Sequence, residues 1–392
     1  MIPKYYEFIC PVKILSGRKA VANLPYELTQ LGASRALVVT DKGVVAAGLM
    51  SHVKAAFADS DREIGAVFED TPVDSSDRVV NQVAGIYREK RCDALVAVGG
   101  GSVIDTVKGT AIVIAESTDD LLKYMGVDRI TGRMPPMIAV PTTTAGTGSE
   151  VTNVAVIYNE GAGVKMAFMS NRLYPHVAIL DPAMTMTMPP KITAATGMDA
   201  LTHAVEAIYG LQKNPVSDAY AAAAIRLVRG YLLRAVERGD DEEARLAMAN
   251  AALLAGMAFS NSMVGMVHAL AHACGGVAHV PHGVANAILL PYGMEYNIGK
   301  AASSVAEVAD HLGDPCGEGD MERKARLAVD LVRKLTEKLN AMCGLPTRLR
   351  DARVSEDQLE KIARAAVNDG ALTYNPEEVT YDEALAVLRK AY

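Results

Sequence analysis

Short apolar runs alternate with helical patterns in the first half of the chain, and this alternation constrains the fold more than any other feature. Buried parallel strands joined by helical crossovers have this pattern, because helices cover both faces of such a sheet. The pattern predicts an α/β domain of the doubly wound, Rossmann-like type. The predicted strands occupy 36–41, 64–70, 93–101, 137–144 and 176–182. Residues 150–170 differ, because two β-rich runs flank the turn NEGAG, and they predict a hairpin inserted in the sheet domain.

The sequence becomes helical after Met188-Pro189-Pro190. Ala, Leu, Met, Glu and Arg, which have high helix propensity, dominate the stretches 216–239, 241–261 and 321–344. The length of 392 residues fits about two domains. We therefore expect an α/β domain over residues 1–187 and an all-helical domain over residues 188–392.

Composition excludes several classes of function. The chain has 39 Lys+Arg against 46 Asp+Glu and no basic cluster, which argues against nucleic-acid binding. Its five cysteines form no C-x-x-C pair, which argues against a disulfide framework and favours a reducing, cytoplasmic location. The N-terminus lacks the pattern of a signal peptide, and the longest apolar stretches are too short to span a bilayer. We expect a cytoplasmic protein without nucleic-acid or membrane partners.

A glycine triplet ends the third predicted strand. Gly99, Gly100 and Gly101 precede Ser102, where a helix is expected to begin with Ser102 as a good N-cap. Small residues let backbone N–H groups approach a phosphate, and the helix N-terminus favours negative charge. The triplet is not a G-x-G-x-x-G motif, because Ile104 occupies the last glycine position. A plain tight turn is the alternative.

A second loop rich in glycine and hydroxyl residues, PTTTAGTGSEVT at 141–152, follows the fourth predicted strand. Such a loop offers N–H and O–H donors to a diphosphate or to a nicotinamide amide. A solvated turn is again the alternative. Two such loops after separate parallel strands favour a dinucleotide bound across the carboxyl ends of the strands.

Histidines cluster in the second half, where five of the eight lie between 203 and 282. Asp199 and His203 are four residues apart, as are His268 and His272, so each pair lies on one face of a helix. His282 follows Pro281, near a helix start. A carboxylate with imidazoles suits Fe²⁺ or Zn²⁺. Spacing does not decide which imidazoles bind, although His279 is the one most readily interpreted as structural.

Together these segments resemble the iron-containing (group III) alcohol dehydrogenases, and most closely the branch of the 1,3-propanediol, lactaldehyde and methanol dehydrogenases. The resemblance runs in register over nearly the whole chain, and its most specific part is the histidine-rich segment. The matching segments are GGGSVIDTVKG, AGTGSEVT, TGMDALTHAVEA, MAFSNS and MVHALAHACGGVAHVPHGVANAILLP. The resemblance implies a dehydroquinate-synthase-like fold, bound NAD and Fe²⁺, with Zn²⁺ as a possible substitute, and a homo-oligomer, a dimer or larger.

The resemblance also implies roles for individual residues. In the helical half it assigns His272 to a position beside the metal that is not a ligand and is a candidate for proton transfer. The residues that match the four metal ligands are Asp199, His203, His268 and His282. Those that match cofactor-binding positions are Gly100, Gly101 and Ser102 for the pyrophosphate, Thr143, Thr144, Thr147 and Thr152 in the second loop, Lys165 near the cofactor, and Asp41 at the adenosine ribose.

The chain departs from the family pattern at three places. Asp74 stands where the family often has Asn, which bears on the adenine side of the cofactor site. The second loop carries one more Thr than its commonest form, and Ala273-Cys274 replace Pro-Leu or Gln-Leu, which bears on the substrate pocket. Asp41, if it faces the ribose, would repel the 2′-phosphate of NADP(H); the alternative is that it only caps the next helix.

The implied reaction is hydride transfer between NAD(H) and a small primary alcohol or diol, or the corresponding aldehyde. The metal would polarise the substrate oxygen, and the nicotinamide would carry the hydride. One alternative is a dehydroquinate-synthase-like lyase, which shares the fold, NAD and a metal but needs basic residues for a phosphorylated substrate. The segments around the histidines offer mainly small and apolar neighbours. A non-catalytic metal-binding protein is a third hypothesis, and it leaves both glycine-rich loops unexplained.

Overall fold

The computed structural model describes residues 3–143, 147–313 and 320–392, which form two compact units. One unit holds Ile9–Thr187, and the other holds Met188–Tyr392 together with the N-terminal segment that ends at Phe8. The ring of Phe8 stacks on Tyr220 of the second unit at 5.5 Å between ring centres. The first unit is α/β and the second is helical, so the expected fold class is confirmed.

The α/β unit contains two sheets among its described residues. Its strands are β1 (Lys13–Ser16), β2 (Arg35–Val39), β3 (Glu63–Phe68), β4 (Ala94–Gly99), β5 (Gly126–Val127), β6 (Met137–Pro141), β7 (Val154–Asn159), β8 (Val164–Met169) and β9 (Val177–Leu180). A parallel sheet of six strands has the order β1-β9-β6-β4-β2-β3. A smaller sheet has the order β5-β8-β7, in which β7 and β8 form the expected antiparallel hairpin.

Helices surround the main sheet and explain its apolar strands. They are α1 (Leu24–Gln30), α2 (Lys42–Ala46), α3 (Met50–Ala56), α4 (Asp77–Glu89) and α5 (Gly101–Ala115). Every residue of β4, ALVAVG, is buried. Side chains on one face of the strand pack against α1 and α3, and those on the other face pack against α4 and α5. Continuous apolar strands are therefore required at the centre of this sheet. The hairpin instead alternates, with Ala155 and Ile157 buried.

The second unit is built from helices that share one apolar core. They are α6 (Pro190–Tyr209), α7 (Pro215–Glu237), α8 (Glu242–Ser262), α9 (Met266–Ala278), α10 (His282–Leu312), α11 (Met321–Cys343), α12 (Leu359–Ala366) and α13 (Tyr381–Ala391). Side-chain caps begin several of them; Asn214 caps α7, Asp241 caps α8 and Asp320 caps α11. Gly344 ends α11 in the left-handed conformation, as the sequence predicts.

Helix α6 runs through the middle of this core. Nearly every residue from Thr193 to Tyr209 is buried, so the helix has no solvent-facing stripe. A helix surrounded on all sides is expected to be apolar, and any polar side chain on it must find a partner inside the protein. Asp199, His203 and Glu206 are therefore the exceptions that need an explanation.

None of the helices in the described residues is by itself long and apolar enough to cross a membrane. The pair α8 and α9 meets that requirement only jointly, by length and composition, and is bent by 105°.

Candidate metal and cofactor sites

Four side chains from three helices of the helical unit converge on one point. Their ligand atoms, one from each side chain, all lie within 4.8 Å of one another. The residues are Asp199 and His203 on α6, His268 on α9 and His282 at the start of α10. Asp199, His203 and His268 are buried, while about a third of the His282 side chain is exposed. The structure therefore brings together the four residues that the family resemblance assigns to the metal.

The nitrogens that face this point can be identified from the distances. His282 Nε2 lies 3.4 Å from Asp199 Oδ1, and His268 Nε2 lies 3.9 Å from the same oxygen. The His203 ring is 4.2 Å from that of His268 between ring centres and stacks on Phe259. Burial raises the pKa of Asp199 and holds the pKa of His268 well below its usual range. A neutral imidazole keeps the lone pair that a metal requires.

Asn286 tests whether this donor set fits a cation. Its amide nitrogen lies 2.5 Å from Asp199 Oδ1, 3.1 Å from His282 Nε2 and 3.3 Å from His268 Nε2. When both imidazoles carry their hydrogen on Nδ1, all three of these atoms are acceptors, and an amide nitrogen with two hydrogens cannot donate to all of them. In that state acceptors outnumber donors at this point. A divalent cation with oxygen and imidazole ligands matches that surplus.

His272 lies beside the cluster with its own carboxylate partner. Its ring stacks on that of His282 at 5.3 Å between ring centres, one helical turn beyond His268. His272 Nδ1 is 2.9 Å from Asp369 Oδ2, and about half of the His272 side chain is exposed. Hydrogen bonding to His272 lowers the pKa of Asp369 in spite of burial. An ionised Asp369 orients the ring so that Nε2 points away from the carboxylate.

Glu206 is a further carboxylate behind the cluster, seven residues after Asp199 on the same face of α6. It is fully buried, and one of its oxygens, Oε2, lies 2.5 Å from His268 Nδ1. Burial raises the pKa of Glu206 to about 7. The sequence analysis missed this residue, although its spacing from Asp199 and His203 was a signal that could have found it.

The first glycine-rich loop lies at the carboxyl end of β4. Gly100 is the N-cap of α5, and it has no side chain with which to cap the helix. The expectation that Ser102 caps this helix was wrong, because the helix already begins at Gly101 and the Ser102 hydroxyl donates to the carbonyl of Val73. Without a side-chain cap, the first N–H groups of α5 stay available to an anionic ligand.

The second loop lies directly against the first, because β4 and β6 are neighbours with Gly99 opposite Pro141. A Cβ at Gly101 would lie 3.0 Å from Thr147 Cγ2, so a side chain there would crowd the second loop. A Cβ at Gly100 would lie 3.5 Å from Thr143 Oγ1. Gly101 thus keeps its backbone open beside Thr147, whereas a Cβ at Gly100 would make an ordinary van der Waals contact with Thr143. Thr144 lies outside the described residues.

A buried lysine on α5 holds the end of the second loop. Lys108 Nζ donates to the carbonyls of Thr152 and Val154, both at 2.8 Å, and to Thr152 Oγ1 at 3.0 Å. The Thr152 side chain is therefore buried against Lys108, which differs from a side chain presented to a ligand. Burial lowers the pKa of Lys108 to about 8 and raises the pKa of Asp105 to about 6 and that of Glu150 to about 7.

The remaining predicted cofactor residues belong to different sheets of the α/β unit. Asp41 follows β2 and accepts a hydrogen bond from Val44 N at 2.9 Å through Oδ1, so it caps α2. Lys42 pairs with Asp70 at 2.9 Å, so its charge is engaged there. Lys165 on β8 pairs with Asp74 at 3.0 Å, and both side chains are exposed. Asp74, which departs from the family pattern, therefore contacts Lys165, the basic residue predicted near the cofactor.

The departure from the family pattern at Ala273-Cys274 lies in the core of the helical unit. Ala273 and Cys274 on α9 are both buried among apolar side chains. Burial raises the pKa of the Cys274 thiol to about 12, so it stays protonated. Both side chains are part of the packing of α9 in the helical core.

Comparisons with known proteins agree with this geometry. The family model "Iron-containing alcohol dehydrogenase" matches residues 11–182, and "Fe-containing alcohol dehydrogenase family, C-terminal" matches residues 193–392. The 1,3-propanediol dehydrogenase of Citrobacter freundii is 38% identical, with 99% of each chain covered. The NAD-dependent methanol dehydrogenase of Bacillus methanolicus is 36% identical over 98% of this chain and 99% of its own.

A crystal structure of 1,3-propanediol oxidoreductase superposes with a TM-score of 0.94 at 37% identity, covering 99% of this chain and 100% of that one. Both halves of the chain match models of one family, and relatives above 30% identity span its whole length. The cluster of Asp199 and three histidines supplies the donors that such a metal enzyme needs. The chain therefore belongs to the iron-containing alcohol dehydrogenase family, whose members are metal- and NAD-dependent oxidoreductases.

Proposed function

We propose that Asp199, His203, His268 and His282 hold a divalent iron ion, with Zn²⁺ as a possible substitute. The observation that carries this proposal is the convergence of the four ligand atoms within 4.8 Å in a largely buried setting. The unequal count of donors and acceptors around Asn286 supports it. One carboxylate and three imidazoles accept either metal, and availability decides between them.

The two glycine-rich loops of the α/β unit are the proposed NAD site. Gly100, Gly101 and Ser102 would present backbone N–H groups at the start of α5 to the pyrophosphate, where the helix dipole favours negative charge. Thr143, Thr144 and Thr147 would supply further donors. Thr152 contributes by its bond to Lys108, which fixes the loop. Asp41 would face the adenosine ribose, and Lys165 would lie near the cofactor.

The proposed reaction is the oxidation of a small primary alcohol or diol, or the reverse reduction of its aldehyde. When bound, the metal supplies polarisation of the substrate oxygen, and NAD⁺ supplies the acceptor for the hydride. Oxidation also releases one proton, which a side chain must accept. His272 fits this task, because Asp369 holds its Nδ1 and directs Nε2 to the other side of the ring.

The relatives favour a dehydrogenase over the dehydroquinate-synthase-like lyase, since both curated relatives described above are named as alcohol or diol dehydrogenases. We further propose a cytoplasmic homo-oligomer, a dimer or larger, that acts on small molecules and has no nucleic-acid or membrane partner. The net charge of −7 without a basic cluster supports the exclusion of nucleic acid. Light scattering on the purified protein tests the oligomeric state.

A substrate panel tests the enzymatic proposal. The purified protein, loaded with Fe²⁺ without oxygen or with Zn²⁺, is assayed for NADH formation with methanol, ethanol, 1,3-propanediol and longer primary alcohols. NADH formation that depends on the metal and on an alcohol is the expected result. A protein that binds metal and NAD but oxidises none of these alcohols and reduces none of their aldehydes would contradict the proposal.

A further inference from the structure

The two oxygens of the Glu206 carboxylate have different partners. Oε1 accepts a hydrogen bond from the backbone N–H of Val267 at 2.8 Å. Oε2 lies 2.5 Å from Nδ1 of His268. Glu206 therefore contacts both the backbone at the start of α9 and the one side chain of that helix that belongs to the proposed metal site.

The first turn of α9 depends on distant side chains for its hydrogen bonds. The first N–H groups of a helix lack partners within the helix, and Gly265, the N-cap, has no side chain to supply one. Glu206 bonds Val267 N, and Asn375 Oδ1 bonds Met266 N at 3.1 Å. A Cβ at Gly265 would lie 2.7 Å from Asn375 Oδ1, so only glycine permits this close approach. The start of α9 is thus fixed from two other parts of the helical unit.

The contact to Glu206 also fixes which nitrogen of His268 carries the hydrogen. An ionised carboxylate oxygen can only accept, so Nδ1 donates to ionised Glu206, and the lone pair of the neutral ring is then on Nε2. Nε2 is the nitrogen that faces Asp199 Oδ1 and Asn286 Nδ2. We propose that Glu206 is a positioning residue for the metal: it anchors the start of α9 and holds His268 in the one tautomer that can bind the ion through Nε2. This inference rests on the metal site of the proposed function.

A glutamine at this position separates the two contacts, although it has nearly the same shape. The carboxylate has two acceptor oxygens, whereas an amide has one oxygen and one NH₂ group. Val267 N can only donate, so the amide oxygen must face it if the helix start is to be kept. The NH₂ group then faces His268 Nδ1, which must become the acceptor. The hydrogen moves to Nε2, and that nitrogen can no longer bind a metal.

The experiment compares Glu206→Gln with Tyr209→Phe. The Tyr209 hydroxyl bonds Glu206 Oε1 at 3.4 Å and does not contact His268, so its loss is the matched control. Zn²⁺ affinity of the metal-free proteins is measured by competition with a chromophoric chelator, and folding is measured by circular dichroism. Loss of a hydrogen-bond partner of a metal-binding histidine typically costs about 10–100-fold in metal affinity. We expect a loss of that size in Glu206→Gln and an affinity close to the parent in Tyr209→Phe.

Nitrogen NMR of the imidazoles in the metal-free parent gives a second readout that needs no variant. A predominant Nδ1–H tautomer at His268 is expected, and an Nε2–H tautomer would overturn the inference even if Glu206→Gln failed to fold. A folded Glu206→Gln that binds Zn²⁺ as tightly as the parent would also overturn it. A parent that binds no metal, or a His268→Ala variant that binds it unchanged, would instead contradict the metal site of the proposed function.

Discussion

The candidate site of the helical unit consists of side chains, whereas that of the α/β unit consists mainly of backbone groups. The cluster around Asp199 consists of side chains, most of them buried, and Glu206 and Asn286 contact Asp199, His268 and His282 from behind. The loops that follow β4 and β6 instead offer backbone and small hydroxyl groups, supported from beneath by Lys108. A metal requires particular ligand atoms, whereas a pyrophosphate accepts N–H groups from any residue.

This difference teaches where the chain is sensitive to substitution. In the helical unit we expect a single changed atom to alter metal binding, because each proposed ligand contributes one particular atom. In the α/β unit the positions of the loops matter more than the identity of most of their side chains. Variants of the helical unit should therefore lose metal, whereas variants of the α/β unit should lose NAD affinity or cofactor preference.

The largest effect is expected for His268→Ala, which removes one of the proposed ligands. Metal and activity should be lost together while the fold survives, because the site keeps only three of its four ligands. Elemental analysis after metal loading, with circular dichroism as the control for folding, checks this. Full metal occupancy in the variant would show that the ligand assignment is wrong.

His272→Ala tests the boundary of the metal cluster. Removal of a general acid–base group typically lowers turnover by about 10²–10⁴-fold, and the metal should remain bound. The pH dependence of kcat should change as well, and Asp369→Asn should also change it, since asparagine removes the charged partner of Nδ1 and keeps an acceptor for Ala371 N. If His272→Ala lost as much metal as His268→Ala, His272 would be a ligand and its proton-transfer role would be wrong.

Lys108→Met tests the support beneath the second loop of the α/β unit. The change removes three hydrogen bonds to Thr152 and Val154 and leaves Asp105 and Glu150 without their buried cation. Breaking such a buried pair typically costs about 3–5 kcal/mol. Denaturant unfolding should show this loss, and NAD⁺ titration should show weaker binding, while metal content stays at the parent value. Unchanged NAD⁺ affinity in a folded variant would separate Lys108 from the cofactor site.

Glu150→Gln tests whether the buried carboxyl near Lys108 titrates as its raised pKa predicts. Burial raises the pKa of Glu150 from 4.5 to about 7 in the folded protein, so its contribution to stability is full below pH 4.5 and is lost as the pH rises through about 7. Glutamine stays neutral, so the variant should lose less stability between about pH 5 and 7.5, by on the order of 2 kcal/mol. Asp105, whose pKa is raised to about 6, should leave a smaller dependence of the same sign. Parallel curves of unfolding free energy against pH would contradict the shift.

The smallest effect is expected for Asp41, where a cap and a proposed ribose contact coincide. Asp41→Asn keeps an acceptor for Val44 N but removes the charge, whereas Asp41→Gly removes both. The parent should prefer NADH over NADPH, and both variants should relax that preference by about tenfold, or 1.4 kcal/mol. The ratio of kcat/KM for the two cofactors measures this. An unchanged ratio in Asp41→Asn would leave only the capping role.

Sequence patterns that lie within a single strand or helix could be interpreted correctly without the structure. The apolar run before Gly99 predicted a buried parallel strand, and the Ala-rich stretches predicted α7, α8 and α11, because side-chain burial has the period of the element that carries it. Ser102 was misinterpreted, since hydroxyl residues near a helix start are usually caps and only the structure shows its bond to Val73.

The sequence by itself determined the fold class, the two loops at strand ends and the i, i+4 pairs of the metal cluster. All three depend on local periodicity or on the shared direction of parallel strands. The family resemblance then selected the four metal residues. Only the tertiary structure decided which side chains contact them, because these partners are far apart in the chain: Glu206 is 62 positions from His268, and Asn286 is 87 positions from Asp199. Packing of separate helices brings such groups together, and no local pattern records it.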